Sequence, residues 1–235
     1  MINTVVGSGS LVTFPALIAL GYPPVLANVT NNIGVFPGSI SGAFAYRREL
    51  KGQLRDLLPL TFFSAAGGFG GALLLLSLPA EAFDTIVPVL IILACILVVA
   101  GPWLKQWAVF HQSRSRSDRP RFALLASAGF TGVYGGYFGA AQGVILLAIL
   151  SILLKGGLQR ANAYKNVLAA VANGAAAIVF IFTTEVAWLA AAIIAIGAIL
   201  GGQIGGRVGR RLPQLVYRMI IVSVGLAAVV YFYAE

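Results

Sequence analysis

Charge is the scarcest ingredient of this 235-residue chain: Asp, Glu, Lys and Arg make up 10% of it, against 59% hydrophobic residues. A soluble domain carries about 25% charged residues, so this composition excludes a soluble enzyme or a nucleic-acid binder. Cysteine and histidine each occur once, as Cys95 and His111. That rules out an intrachain disulfide, a cysteine-rich metal site and a histidine dyad. Cys95 lies in the apolar run IVPVLIILACILVVAG and reads as a small buried or lipid-facing residue. No hydrolase triad or phosphate-cradling loop is present, so neither catalysis nor a cofactor is expected. Acids are missing from the apolar runs as well. Glu49, Asp56, Glu81, Asp84, Asp118, Glu185 and Glu235 all fall in loops or at helix ends, which argues against a cation pump or a cation-selective pore.

What the chain has is long apolar runs. A transmembrane helix takes about 20 residues, and the runs imply an all-α polytopic membrane protein with almost no extramembrane domain. Residues 1–20 hold a short segment, a turn from Gly7 to Ser10 and a short apolar helix; without a basic start, and interrupted by Pro15, they do not read as a signal peptide. Helices are expected at 27–46, 56–77 and 84–104, then at 121–138, 141–154, 160–182, 186–206 and 214–233. The polar stretch 105–120 reads as a basic linker between a first transmembrane repeat, 1–104, and a second, 121–235.

The halves repeat at a constant offset of 134 residues. Gly9 meets Gly143, Asn28 meets Asn162 and Asn32 meets Asn166; Gly67, Gly68 and Gly71 meet Gly201, Gly202 and Gly205; Leu78-Pro79 meets Leu212-Pro213. In this register Met1 aligns with Gly135, so the first helix reads as truncated by about four turns. Equivalent loops carry opposite charge. Arg47, Arg48, Lys51 and Arg55 follow the 27–46 helix, whereas the matching loop near Glu185 has no base. The next pair reverses this, with Glu81 and Asp84 against Arg207, Arg210, Arg211 and Arg218. Lysine and arginine collect on the cytoplasmic side, so the pattern implies two inverted-topology repeats of about five helical segments each, in the cell membrane, with basic loops and linker inside. This is the plan of many secondary transporters.

The polar residues within the spans form stripes. Asn28, Asn32 and Ser39 share one helical face, and Asn162, Asn166 and Asn173 repeat it. Such asparagines either bond neighbouring helices or line a pathway, and the recurrence in both halves favours a pathway. Each stripe starts near a helix N-terminus, where the dipole favours an anion. Lys165 adds positive charge to the second stripe, the alternative being that it snorkels to the interface. The turns at Gly7-Ser8-Gly9-Ser10 and Ala140-Ala141-Gln142-Gly143 occupy equivalent places, and Ser8, Ser10 and Gln142 can donate hydrogen bonds there. The clusters Gly67, Gly68, Gly70 and Gly71, and Gly201, Gly202, Gly205 and Gly206, read as close-packing helix surfaces.

The run GSGSLVTFPALIALGYPPVLANVTNNIGVFPGSISGAFAYRREL resembles the first repeat of the TauE/SafE sulfite exporter family. The marks are the glycine-rich turn before Pro-Ala-Leu, the Ala-Asn-Val-Thr-Asn segment and the helix ending in Tyr46-Arg47-Arg48. The glycine cluster before Leu78-Pro79, and its second copy ending Arg210-Arg211-Leu212-Pro213, also fit. The resemblance implies a membrane transporter of small anions such as sulfite, sulfonates or thiosulfate. The expected function is a permease, in the export direction, whose substrate is bound by Ser8, Ser10, Asn28, Thr30, Asn32, Gln142, Asn162, Lys165 and Asn166. The alternative is a non-transporting membrane scaffold. The expected partners are the small anionic substrate and the lipid bilayer, with no nucleic acid; a homo-oligomer is allowed.

Overall fold

The computed structural model describes residues 8–114, 121–154, 157–208 and 214–234, and among these it is helical with no strand. The helices are α1 (Ser10–Ala19), α2 (Pro24–Ala45), α3 (Leu54–Ser77), α4 (Ala80–Arg114), α5 (Arg121–Tyr137), α6 (Gln142–Leu153), α7 (Gly157–Thr183), α8 (Trp188–Val208) and α9 (Gln214–Ala234). The first seven residues, including Gly7, the 115–120 part of the linker and the Arg210-Arg211-Leu212-Pro213 stretch lie outside the described residues.

Local chemistry sets the boundaries. The backbone turns after α1 through Gly21 at φ +84, and Pro24 then opens α2 at a position where its missing N–H is harmless. The α4 helix runs through Lys105 to Arg114, so most of the expected linker continues the helix. Its 35 residues span about 52 Å, well beyond a hydrocarbon core of about 30 Å. Among the described residues, three stretches are long and apolar enough to cross a membrane: Leu54–Ser77, Ala80–Trp103 and Gly157–Thr183. The α1 and α6 helices, with 10 and 12 residues, reach only about 15 and 18 Å, roughly half the core.

The 134-residue repeat is visible in the backbone. Helices α3 and α8 start at Leu54 and Trp188, α4 and α9 start at Ala80 and Gln214, and α1 and α6 end at Ala19 and Leu153. The packing repeats too. Contacts of α2 with α8 are matched by contacts of α7 with α3, those of α4 with α6 by α9 with α1, and those of α1 with α2 by α6 with α7. The two halves therefore interleave, with α2 and α7 in contact at the centre. Polar detail follows the same exchange: Ser64 Oγ donates to Leu168 O across α3–α7 (2.9 Å), and Ser41 Oγ donates to Ile199 O across α2–α8 (3.0 Å).

Glycine makes these approaches possible. A Cβ on Gly68 would lie inside contact distance of the Ala172 carbonyl, and one on Gly202 would meet Ser41 and Gly38; Gly38 and Ala172 are themselves equivalent positions. Along the α3–α5 seam, Gly67 and Gly71 face the backbone of Gly129 and Val133, and Gly132 and Gly136 face that of Ser64 and Gly68. Gly70 has nothing within 4 Å and so is not part of the packing surface. The outside is apolar: Phe62 and Phe69 on α3, Val89, Ile96 and Val99 on α4, and Leu189, Ile193 and Ile196 on α8 are exposed. Trp103, at the end of the Ala80–Trp103 span, is exposed, as suits a ring of the type that collects at membrane interfaces.

Gly71→Ala is expected to destabilise the fold by about 1–3 kcal/mol, because its methyl would collide with a backbone that cannot move aside. Gly70→Ala should be neutral or slightly stabilising. Denaturation in detergent micelles compares the two, and equal stabilities would refute the α3–α5 seam.

Candidate functional site

Two hydrogen bonds orient the central pair. Thr30, near the start of α2, accepts from the backbone N–H of Ala187, just past the end of α7 (3.1 Å). Asn162, near the start of α7, donates through Nδ2 to the hydroxyl of Tyr46, just past the end of α2 (3.0 Å). The equivalent helices α2 and α7 thus run antiparallel. Their interior is unusually polar, with Asn28, Thr30, Asn31, Asn32, Lys165, Asn166 and Asn173 all buried.

The candidate residues fall into two groups, one at each end of this pair. In the first, Asn28 Nδ2 donates to Tyr137 O (2.8 Å) and Asn32 Nδ2 to Gly135 O (3.5 Å). Gln142, opening α6, donates to Thr131 O (3.0 Å), and its amide occupies the space a Cβ on Gly135 would need. Asn28, Asn32 and Gln142 therefore converge on residues 131–137 of α5. Ser8 and Ser10 are buried at the start of α1. That helix reaches α2 through Thr13, which donates to Asn31 Oδ1, a contact the stripe pattern did not single out. In the second group, Asn162 meets Tyr46, Asn166 Nδ2 donates to Asn162 O (3.0 Å), and Lys165 is 1% exposed. Lys165 therefore does not snorkel to a surface. The four asparagines Asn28, Asn32, Asn162 and Asn166 do not form one cluster. Each stripe instead runs inward from its own end, through Ser39 on α2 and Asn173 on α7. Phe36 packs on Gly174, which brings Ser39 and Asn173 to about the same level of the antiparallel pair.

The Ala-Ala-Gln-Gly turn achieves with little glycine what a glycine-rich turn does. Ala141 sits at φ 59 and Gly139 at φ 75, and the Tyr134 hydroxyl holds the turn through Ala140 O (2.6 Å). A left-handed alanine costs about 1–2 kcal/mol. The turn tolerates it because Phe138 is clamped edge-on by Phe14 and Phe83, with ring centroids 5.3 and 6.3 Å away.

Three stripe atoms, Asn32 Oδ1, Asn162 Oδ1 and Asn173 Oδ1, are buried without a partner, as is the Ser8 hydroxyl before α1. Each such atom costs about 1–3 kcal/mol unless something meets it. None of the nine candidates lines either described cavity. One cavity, of about 300 Å³, is an apolar groove between α1 and α9 beside Pro15 and Ala228. The other, of about 410 Å³, is walled by leucines together with Asp56, Arg121, Arg160 and Tyr164. It lies at the Tyr46 end of the α2–α7 pair, the end that also carries Arg47, Arg48, Lys51 and Arg55. The repeat does not mark Arg160 and Tyr164, because the equivalent of Arg160 is Leu26 and Tyr164 shares only a hydroxyl with its equivalent, Thr30.

The family model for the sulfite exporter TauE/SafE matches residues 1–232. The probable membrane transporter protein YfcA of Escherichia coli K12 is 30% identical over 224 residues, 95% of this chain and 81% of that protein. A probable membrane transporter protein of Haemophilus influenzae is 29% identical over 200 residues, 85% and 76% of the respective chains. One from a Sinorhizobium species, ORF9, is 28% identical over 228 residues, 96% and 85%. No solved structure matches significantly. The chain belongs to the sulfite exporter TauE/SafE family and is a multi-pass membrane transporter.

Thr30 stands apart from the asparagines because its oxygen already serves the Ala187 N–H. Thr30→Val should lower stability by about 1–3 kcal/mol, leaving that N–H unpaired, while Thr30→Ser should restore most of it. Melting temperatures of the two purified variants decide this; a stable Thr30→Val protein would return Thr30 to a purely substrate-facing role.

Proposed function

We propose that the chain is a secondary transporter that exports small anions, with sulfur oxyanions such as sulfite as the substrate class, across the cytoplasmic membrane. The observation that carries the reading is the buried amide stripe on the antiparallel α2–α7 pair, with Lys165 enclosed beside it. Polar and ionisable groups are expensive inside a membrane and mark transport pathways. Antiparallel equivalent helices support two inverted repeats working by alternating access around a shared middle, near Ser39 and Asn173.

The chemistry suits an oxyanion. An asparagine NH₂ carries two hydrogens, and the bond each stripe amide makes to the protein uses one. The second can reach a substrate oxygen, while the partnerless Oδ1 atoms are met by water that enters with it. Lys165 and the N-terminal ends of α2 and α7 supply positive potential. With the basic end inside, the cavity walled by Arg160 and Tyr164 is the cytoplasmic approach, and the Asn162–Tyr46 bond ties the first residue of the α7 stripe to the end of α2. Opening that bond admits the anion.

Energetics favour export. Moving one negative charge out of a cell with a negative interior is downhill by about 2.3 kcal/mol per 100 mV, so a monovalent anion needs no coupling ion. Neither α2 nor α7 carries an acid that could bind one.

Labelled sulfite flux in proteoliposomes tests this. Asn32→Ala and Asn166→Ala are each expected to cut flux about tenfold or more, the loss of a hydrogen bond to a charged group of ~1.5–3 kcal/mol, with melting temperatures kept. Wild-type flux should rise with an imposed membrane potential and persist without a pH gradient. Flux that follows the pH gradient and ignores the potential would sink the electrogenic mechanism.

A further inference from the structure

We propose that the cavity at the basic end is an anion-capture vestibule in which Arg160 receives the substrate and Asp56 is a built-in competitor for it. This rests on the transport reading above and adds to it a site that the asparagine stripe does not contain.

Arg160 is tethered on one side only. Its Nη2 donates to Gln53 Oε1 and lies 3.6 Å from Asp56 Oδ2, and the guanidinium sits 5.6 Å from the centre of the Tyr164 ring. The Tyr164 hydroxyl also leans on Gln53, at 3.5 Å. The Nε of Arg160 is buried and has no partner. A guanidinium is built to give Nε and Nη2 together to two oxygens of one oxyanion, and here one half of that fork is unfilled. Asp56 offers it little: its side chain is 70% exposed against 25% for Arg160, and such exposed pairs are weakly held. An arriving oxyanion can take the carboxylate's place without changing the charge count, and Arg121 adds a second positive wall to the same cavity.

The repeat sharpens the point. The positions equivalent to Arg160, Asp56 and Tyr164 are Leu26, Ala190 and Thr30, so the scaffold that builds a charged mouth at one end has no such charges at the other. Packing does not require charge at these positions. Its presence at one end alone is what a cytoplasmic capture step for an anion calls for.

Asp56→Asn and Arg160→Gln separate capture from a structural ion pair, since the two variants should act in opposite directions. In proteoliposomes with labelled sulfite at low ionic strength, Arg160→Gln should lower kcat/KM about tenfold and flatten its salt dependence, as expected when a charge that steers a ligand is lost. Arg160→Lys should recover part of it, and Asp56→Asn should raise kcat/KM a few-fold. Both variants lowering kcat/KM together with the melting temperature would overturn the proposal, as would an Arg160→Gln protein with wild-type flux and salt slope. If wild type shows no sulfite flux, the transport reading fails, and capture is read separately from thermal stabilisation by sulfite. Stabilisation of wild type and Asp56→Asn, but not of Arg160→Gln, supports capture; equal stabilisation of all three, or of none, overturns it.

Discussion

A buried amide in hydrocarbon has no water to fall back on, and the architecture follows from that constraint. The α2 sequence Asn-Val-Thr-Asn-Asn and the α7 sequence Asn-Ala-Tyr-Lys-Asn could not face lipid. They are placed against one another and enclosed by α3, α5 and α8, whose own outer faces are Phe, Leu and Ile. The polar helices are therefore innermost and the apolar ones outermost, the reverse of a soluble bundle. The donors of Asn28, Asn32, Asn162 and Asn166 find a backbone carbonyl or a tyrosine hydroxyl, while the Oδ1 atoms of Asn32, Asn162 and Asn173 are buried without a partner.

Enclosure of that kind needs helices to approach one another more closely than ordinary side chains permit. Hydrophobic burial supplies no drive between helices in lipid, so contact area and interhelical hydrogen bonds must do so. Glycines at the α3–α5 and α3–α7 crossings let backbone meet backbone, and Ser64 and Ser41 add one hydroxyl-to-carbonyl bond on each side of the repeat. Because α2 packs on α8 and α7 on α3, each half completes the other, and neither central helix is covered by its own repeat alone.

The helix content and the 134-residue repeat were legible because apolar runs and matched Gly and Asn positions survive in the residue string; α3 and α8 begin at equivalent residues to the letter. The boundary after Trp103 was not legible, since polar residues from Lys105 onward extend α4 as readily as they would form a loop outside the membrane. The stripe was legible as a face, but its division between two ends of an antiparallel pair was not, because residue spacing carries no information on which helices meet. The glycine cluster alone marks Gly70 as a packing residue, whereas its position on the helix leaves it facing open space. Arg160 was visible only as a charge near a helix start. Its significance needed the cavity, the position of Asp56 and the unfilled Nε together.

A transporter built from two equivalent halves faces opposing demands. Alternation requires the two end states to lie within a few kcal/mol, so that each is populated, and the matched packings, α2 on α8 in one half and α7 on α3 in the other, are what the proposed exchange would use. Direction of capture, in contrast, requires the ends to differ. The differences are polar substitutions on a shared frame: Lys165 stands opposite Asn31, Gln142 opposite Ser8, and Arg160 opposite Leu26. Such changes leave the glycine seams untouched and alter only the potential along the path. Under the proposed mechanism, symmetry in the backbone would keep the two states close in energy, while asymmetry in a few side chains would decide from which side an anion is drawn in.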